Sequence, residues 1–366
     1  MYTMIDYVKW RGDLPFSKSG LNPIDILVLC QISYIHFEGI IPNKIGVKHG
    51  ISLQDAKNAY FSGKRNEKYL GFLSEQTYDI FKEAADSERF RQFTVSGYVS
   101  TFDEEKEMQF AAMTFHWKDM NIVIFRGTDN TIIGWKEDFN MVYMSPIPAQ
   151  LESVKYLQQV GKNTRGKIIT AGHSKGGNLA IYSATKADNR IKRRITGIYN
   201  YDGPGFTREY LENSDYLSIA DLIKSYTPYA SVVWALMEHS KDALVVNSRN
   251  SGIMQHDTAS WGICGTKFDT VDRVSEKSRF FQTTLGDWLS TISTEERETF
   301  INSFFSVIEE TNAKTIEDLT ANWYKSTTAA IKLLTKLDPS IREHLFKAIQ
   351  IIFEASRIPE SHKEKE

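Results

Sequence analysis

Lys167-Ile168-Ile169-Thr170-Ala171-Gly172-His173-Ser174-Lys175-Gly176-Gly177-Asn178-Leu179-Ala180-Ile181 is the stretch whose reading decides the fold. Up to Ala171 it is apolar and β-branched and reads as a strand. From Gly177 it is built of small and helix-compatible residues. Between them, Gly172-His173-Ser174-Lys175-Gly176 forms a Gly-x-Ser-x-Gly string with the serine at the apex of a sharp strand-to-helix turn. Such a turn strains the serine backbone, so its flanks need residues without Cβ atoms to let strand and helix pack closely. The string alone is a weak signal. Its strand-before and helix-after context is what makes Ser174 a candidate nucleophile. The competing reading is a glycine-rich turn whose serine only caps the helix.

Outward from this stretch, strands and helices alternate. Helices are expected near 135–143 and 149–162, then the strand carrying Ser174, a helix to about Lys186, and strands at 196–201, 222–226 and 243–247. That alternation predicts an α/β fold with a mainly parallel central sheet covered by helices on both faces. Upstream, 94–101, 108–117 and 121–125 are β-branched or aromatic runs, and Lys118-Asp119-Met120-Asn121 supplies turn chemistry for a hairpin. Residues 1–20 read as an irregular arm anchored by Trp10, Leu14 and Phe16. Asn22-Pro23 then offers an N-cap and a first-turn proline for an apolar helix to about Phe37. Residues 40–93 hold short amphipathic helix candidates, which could cap an active site or pack over a sheet edge.

Beyond Lys267 the β signal ends. Ser293-Thr294-Glu295-Glu296 is a capping box for a helix expected to bury Phe300, Phe304 and Ile308. Asp338-Pro339 opens a second, with Ile341, Leu345, Ile349, Ile352 and Phe353 on one stripe. The expected division is therefore 1–267 for the α/β domain and 268–366 for a helical region, either a subdomain or a surface for homo-oligomer formation.

The chain has 366 residues, with 44 basic and 46 acidic side chains intermingled, which argues against a nucleic-acid-binding surface. The two cysteines, Cys30 and Cys264, lie among apolar neighbours and read as buried free thiols. With no signal peptide read at the N-terminus, they fit a reducing cytosol, and a cytoplasmic location is expected. The apolar run at 24–37 is too short and too polar to span a bilayer. No HExxH, CxxC or dinucleotide fingerprint is present, so neither a metal nor a cofactor is expected.

A serine hydroxyl needs a histidine base and a carboxylate that orients it, in the chain order serine, acid, histidine. Downstream of Ser174 the histidines are His239, His256, His344 and His362. His256 follows the last predicted strand by a loop and is the first choice. His239 falls on an expected helix, His344 in the tail and His362 at the frayed end. For the acid, Asp202 stands at the carboxyl end of a strand, where catalytic groups gather in open α/β sheets. Its alternative reading is an Asp that begins the Gly203-Pro204 turn, and Glu238 is the runner-up acid. Asp257 is discounted as His256's immediate neighbour. The oxyanion needs N–H donors. The backbone of Lys175 and Thr128, in the loop Phe125-Arg126-Gly127-Thr128-Asp129 after a strand, are the candidates. The side chain of Lys175 reads as solvated.

Phe125-Arg126-Gly127-Thr128, Trp135, Asp138-Phe139, Gly172-His173-Ser174 and Asp202-Gly203-Pro204-Gly205 resemble the class 3 lipase branch of the α/β-hydrolases. Asp6-Tyr7, Trp10-Arg11-Gly12-Asp13 and Gln255-His256-Asp257 bring the likeness closer to the bacterial DUF2974 (Mbeg1-like) family, over about residues 4–265. The resemblance implies an α/β-hydrolase fold, a serine nucleophile and esterase or lipase activity on a small-molecule ester or lipid. Two departures stand out: Lys175 where class 3 lipases place leucine, and Ser231-Val232-Val233 where they carry Asp-hydrophobic-Val. Either Asp202 serves as the acid or the triad is incomplete. A serine hydrolase working through Ser174 and His256 is the first reading. The alternative is a degenerate hydrolase acting as a binding or scaffold module, with the helical tail as its interaction surface. A third variant has Trp234, Leu236 and Met237 on an apolar rim that meets a membrane surface.

Overall fold

β-branched and aromatic residues alternate along the central strands, and the alternation divides the core in two. The computed structural model describes residues 1–47, 50–63, 75–129 and 131–309, with a few residues between 339 and 350. The strands are β1 (Ile51–Ser52), β2 (Thr94–Asp103), β3 (Met108–Trp117), β4 (Met120–Phe125), β5 (Lys167–His173), β6 (Ile195–Tyr201), β7 (Ile223–Pro228) and β8 (Leu244–Val246). β9 (Ile263–Cys264) and β10 (Lys267–Phe268) pair with each other, and β11 (Thr270–Val271) closes the far edge of the main sheet. Its order is β1-β2-β3-β4-β5-β6-β7-β8-β11. β4 through β8 run parallel, while β1–β4 and β8–β11 are antiparallel. The mainly parallel central sheet of an α/β-hydrolase-like fold is therefore present, and its edge extends past Lys267, where the sequence signal had ended.

The helices are α1 (Met4–Arg11), α2 (Pro23–Ile32), α3 (Leu53–Ser62), α4 (Gln76–Asp86), α5 (Ile132–Asn140), α6 (Pro148–Asn163), α7 (Lys175–Lys186), the short α8 (Asn189–Lys192), α9 (Arg208–Glu212) and α10 (Ser214–Leu217), then α11 (Glu276–Ser290) and α12 (Thr294–Glu309). Because the parallel strands follow one another in chain order, right-handed crossovers put the connecting helices on one face. There α6 and α7 bury Leu157, Val160, Leu179 and Ala180 against Val123, Phe125, Ile168 and Ile198. The opposite face shows Ile122, Ile124, Ile169, Ala171 and Tyr201, and the N-terminal helices α1–α4 cover it. The described part of 40–93 thus packs over the sheet and its β1 edge.

Local signals explain the boundaries. Asn22 Oδ1 accepts from the amides of Ile24 and Asp25, and α2 ends at Ile32, short of the expected Phe37. Residues 4–11 form a helix where an irregular arm was expected; Phe16 is buried, but Trp10 is exposed. Ser293 and Glu296 exchange the two hydrogen bonds of a capping box, and α12 buries Ile301 and Phe305 rather than Phe304, which is exposed. Cys30 is buried, whereas Cys264 is exposed, against expectation. The tail helix expected at 338–353 and the charged end lie outside the described residues.

One buried ion pair ties the N-terminal layer together. Arg89 donates through Nε and Nη2 to Asp25 at 2.7 and 2.6 Å, and its other N–H groups reach the carbonyls of Leu14, Ser19 and Gly20. Tyr7 Oη donates to the same carboxylate at 2.8 Å, and both charged side chains are fully buried. Removing one partner strands a buried charge, which costs about 3–5 kcal/mol. Arg89→Met should therefore lower the unfolding free energy by about that much in urea titration, and a loss under about 1 kcal/mol would contradict this account.

Candidate active site

Ser174 sits where β5 meets α7, at φ +57° and ψ −136°. The turn closes because its neighbours lack side chains. A Cβ on Gly172 would lie 2.1 Å from the Gly176 carbonyl carbon, and one on Gly176 would lie 2.1 Å from the Phe125 carbonyl oxygen. The loop after β4 comes equally close: a Cβ on Gly127 would lie 2.9 Å from that of Ser174. Thr128 follows, and both it and Ser174 line one small cavity of about 110 Å³. Its apolar walls come from Trp135, Phe139, Pro204, Val232, Leu236 and Ile253, and Tyr34, Asp138, His173, Lys175 and His256 add polar groups to the lining.

Asp202, the residue after β6, also has a positive φ, +52°, and is fully buried. Its Oδ2 accepts from His256 Nδ1 at 2.6 Å. Its Oδ1 accepts from Thr227 Oγ1 at 2.8 Å and Ser231 Oγ at 2.6 Å. Three donors thus converge on one carboxylate and fix its orientation. With Nδ1–H given to Asp202, Nε2 is the basic nitrogen of His256, whose ring borders the same cavity as Ser174. Ser231, standing where an acid was sought, instead donates to the acid one strand earlier.

The other candidates lie elsewhere. Glu238 is exposed and pairs with Arg208 at 3.3 Å. His239 is not helical: it stacks on Trp234, with Nε2 2.9 Å from the Trp234 carbonyl. Burial lowers its pKa to about 4. Trp234 is buried and Met237 packs against the core, so of the proposed rim only Leu236 reaches the cavity. His344 lies near Trp288 in the tail, and His362 is outside the described residues.

Sequence reasoning missed two groups. The first is Tyr34 with His173. His173 Nε2 is 2.9 Å from the carbonyl oxygen of His256, so that nitrogen carries the proton and donates. Nδ1 then accepts from Tyr34 Oη at 2.8 Å. Burial, together with the neighbouring His256, pulls the His173 pKa well below its usual value, which keeps the ring neutral. The second is the side chain of Lys175. It is fully buried, correcting the solvated reading, and its Nζ donates to Glu137 Oε2 at 2.7 Å and lies 3.5 Å from Asp138 Oδ1. Asp138 Oδ2 accepts from Thr128 Oγ1 at 2.6 Å. An acidic pair following the Phe125-Arg126-Gly127-Thr128 loop, and a lysine flanked by small residues, were the available signals.

A family model matches residues 84–306, more than half of the chain, and describes them as Mbeg1-like. The chain belongs to the Mbeg1-like family. A search of curated protein sequences gives no match. Among solved structures it is similar to the Rhizomucor miehei lipase propeptide complex, at 16% identity and a TM-score of 0.33, over 44% of this chain and 58% of that one. It is also similar to the lipase from Rhizopus microsporus var. chinensis, at 14% identity and a TM-score of 0.29, over 68% of this chain and 77% of that one. The chain thus spans under two thirds of the first of these, and likenesses this distant carry no weight for activity. Among the described residues no helix is long and apolar enough to cross a membrane.

Neutral His173 has a measurable consequence. Its folded pKa lies below its unfolded value of about 6.5, so the stability it supports is complete above that pH and falls as pH drops below it. Between pH 6 and 5 the wild type should lose about 1 kcal/mol more than His173→Gln, read from urea midpoints at the two pH values. Parallel losses would contradict a neutral buried imidazole.

Proposed function

We propose that this Mbeg1-like protein is a serine hydrolase of carboxylesterase or lipase type. Ser174 is the nucleophile, His256 the general base, Asp202 the orienting acid, and the backbone N–H groups of Lys175 and Thr128 the oxyanion donors. The observation that carries the reading is the 2.6 Å contact from His256 Nδ1 to a buried Asp202, on the cavity that Ser174 borders.

In the first half-reaction Ser174 Oγ adds to the ester carbonyl carbon as its proton passes to His256 Nε2. The carbonyl oxygen becomes an oxyanion that accepts from the two N–H groups. Collapse breaks the bond to the alcohol oxygen, which takes the proton from His256 and leaves an acyl-Ser174 ester. Water then repeats the sequence and releases the carboxylic acid. Asp202 holds the ring in the Nδ1–H tautomer throughout.

The cavity favours an uncharged, apolar acyl group. Its 110 Å³ is smaller than the roughly 150 Å³ apolar cavity known to bind benzene, so short acyl chains fit best. Two unpaired cysteines suit a reducing compartment, and a cytoplasmic location belongs to the proposal. The scaffold alternative drew on Ser231, and its hydrogen bond to Asp202 supports the hydrolase reading over that alternative.

Purified protein should hydrolyse p-nitrophenyl butyrate and bind a fluorophosphonate probe covalently. Ser174→Ala should abolish both with an unchanged circular dichroism spectrum. Asp202→Asn should lower kcat by about 10⁴-fold by favouring the wrong tautomer. A native protein that takes no probe while a control hydrolase does, or Asp202→Asn at wild-type rate, would overturn the assignment.

A further inference from the structure

Lys175 carries one oxyanion N–H on its backbone, yet its side chain turns away into a cluster that reaches the other. Nζ donates to Glu137 Oε2, and that carboxylate also accepts from the amides of Gln109 at 3.0 Å and Ala149 at 2.9 Å. Glu137 is thereby held by α5, β3 and α6 together, and keeps two donors without the lysine. Asp138, next on α5, is different. One oxygen accepts from Thr128; the other has no hydrogen-bond partner among the described residues and lies 3.5 Å from the Lys175 ammonium.

We propose that Lys175 is a positioning residue of the hydrolase site: its buried ammonium keeps Asp138 ionised, and the ionised Asp138 fixes the Thr128 hydroxyl and with it the oxyanion-binding loop. This rests on the hydrolase reading above. An ionised carboxylate only accepts, so Thr128 Oγ1 must donate to it and its rotamer is set. A protonated Asp138 can donate instead, and the hydroxyl is then free to turn. One cation therefore locks both donors, through its own backbone on α7 and through the acid on α5.

The groups facing Asp138 are few. Lys175 approaches from α7, Glu137 from α5 itself, and Thr128 from the loop after β4, with Tyr34 also near. Asp129 in the same loop lies 3.9 Å from Arg126 and bears on Lys175 as well. Burial raises the Asp138 pKa to about 6, against the opposing pull of Lys175 and Thr128. Asp138 is thus ionised above that pH, and loss of the ammonium moves its titration further up.

The test uses the full chain as wild type, Lys175→Met, Lys175→Arg and Asp138→Asn. Two quantities are read: the pH profile of p-nitrophenyl butyrate hydrolysis, and the titration of Asp138 in protein labelled with ¹³C at its aspartate carboxyls. Lys175→Met should move the Asp138 titration and the acid limb of kcat/KM to higher pH by about a unit or more. It should also lower kcat at pH 7 on the order of tenfold with KM within about twofold, short of the 10²–10³ that outright loss of an oxyanion donor costs. Lys175→Arg should restore much of the rate. Should Lys175→Met fail to fold, Asp138→Asn serves alone: it should lower kcat at pH 7 on the order of tenfold with KM within about twofold, and Asp138→Asn at the wild-type rate overturns the proposal. An active wild type whose profile Lys175→Met superimposes on, or an Asp138 titration that does not move, overturns this proposal and leaves the hydrolase reading standing. A wild type inactive on the ester and inert to fluorophosphonate overturns the hydrolase reading instead.

Discussion

Two residues at the ends of neighbouring parallel strands hold backbone conformations that side chains avoid, and the site depends on both. Ser174, after β5, stands at φ +57° and Asp202, after β6, at φ +52°. Such conformations cost of order 1–3 kcal/mol each and persist only where the surroundings over-determine them. Here they are over-determined. The Ser174 amide donates to the Tyr201 carbonyl and the Asp202 amide to the Tyr226 carbonyl, so each bend is stitched to the next strand. The strain turns both side chains toward the carboxyl edge of the sheet, where a loop from beyond β8 brings His256 across. The proposed chemistry thus rests on parallel strands in register, each ending one step from its neighbour.

Polar groups at that edge are arranged in layers of dependence. Thr227 and Ser231 hold Asp202, Asp202 holds His256, and the chain from Tyr34 through His173 reaches the His256 carbonyl from the other side. His256 is therefore gripped at both ring and backbone. The opposite wall has its own support. α5 is tied to α7 by Lys175 and Glu137, and its Phe139, which lines the cavity, also packs against Phe304 and Phe305 of α12. The C-terminal helices accordingly buttress the cavity wall from outside.

Much of this was legible in the chain. The strand, turn and helix at Ser174, the hairpin before it and the alternation after it follow from residue periodicity and glycine spacing, which are local. His256 and Asp202, which the fold brings into contact, were also singled out locally, as polar residues just past apolar strands. What could not be read depends on contacts far along the chain. Ser231 looked like a missing acid because only the folded strands bring it to Asp202, 29 residues away. Lys175 looked solvated because its partners come from a helix 38 residues earlier. Cys264 and Trp10 were misjudged for the opposite reason: apolar neighbours in sequence did not become a covering layer in space. The end of α2 and the strand after Lys267 were missed because two-residue pairings and the last helical turn leave almost no local signal.

A crystal structure of the full chain inactivated by an alkyl phosphonate tests the central claim most directly, since the adduct mimics the tetrahedral intermediate. This account predicts phosphorus bonded to Ser174 Oγ, with one phosphoryl oxygen about 2.7–3.1 Å from the backbone nitrogens of both Lys175 and Thr128. His256 should keep its bond to Asp202 and turn Nε2 toward the Ser174 oxygen. An adduct on another residue, or one whose phosphoryl oxygen points away from those two nitrogens, would contradict it.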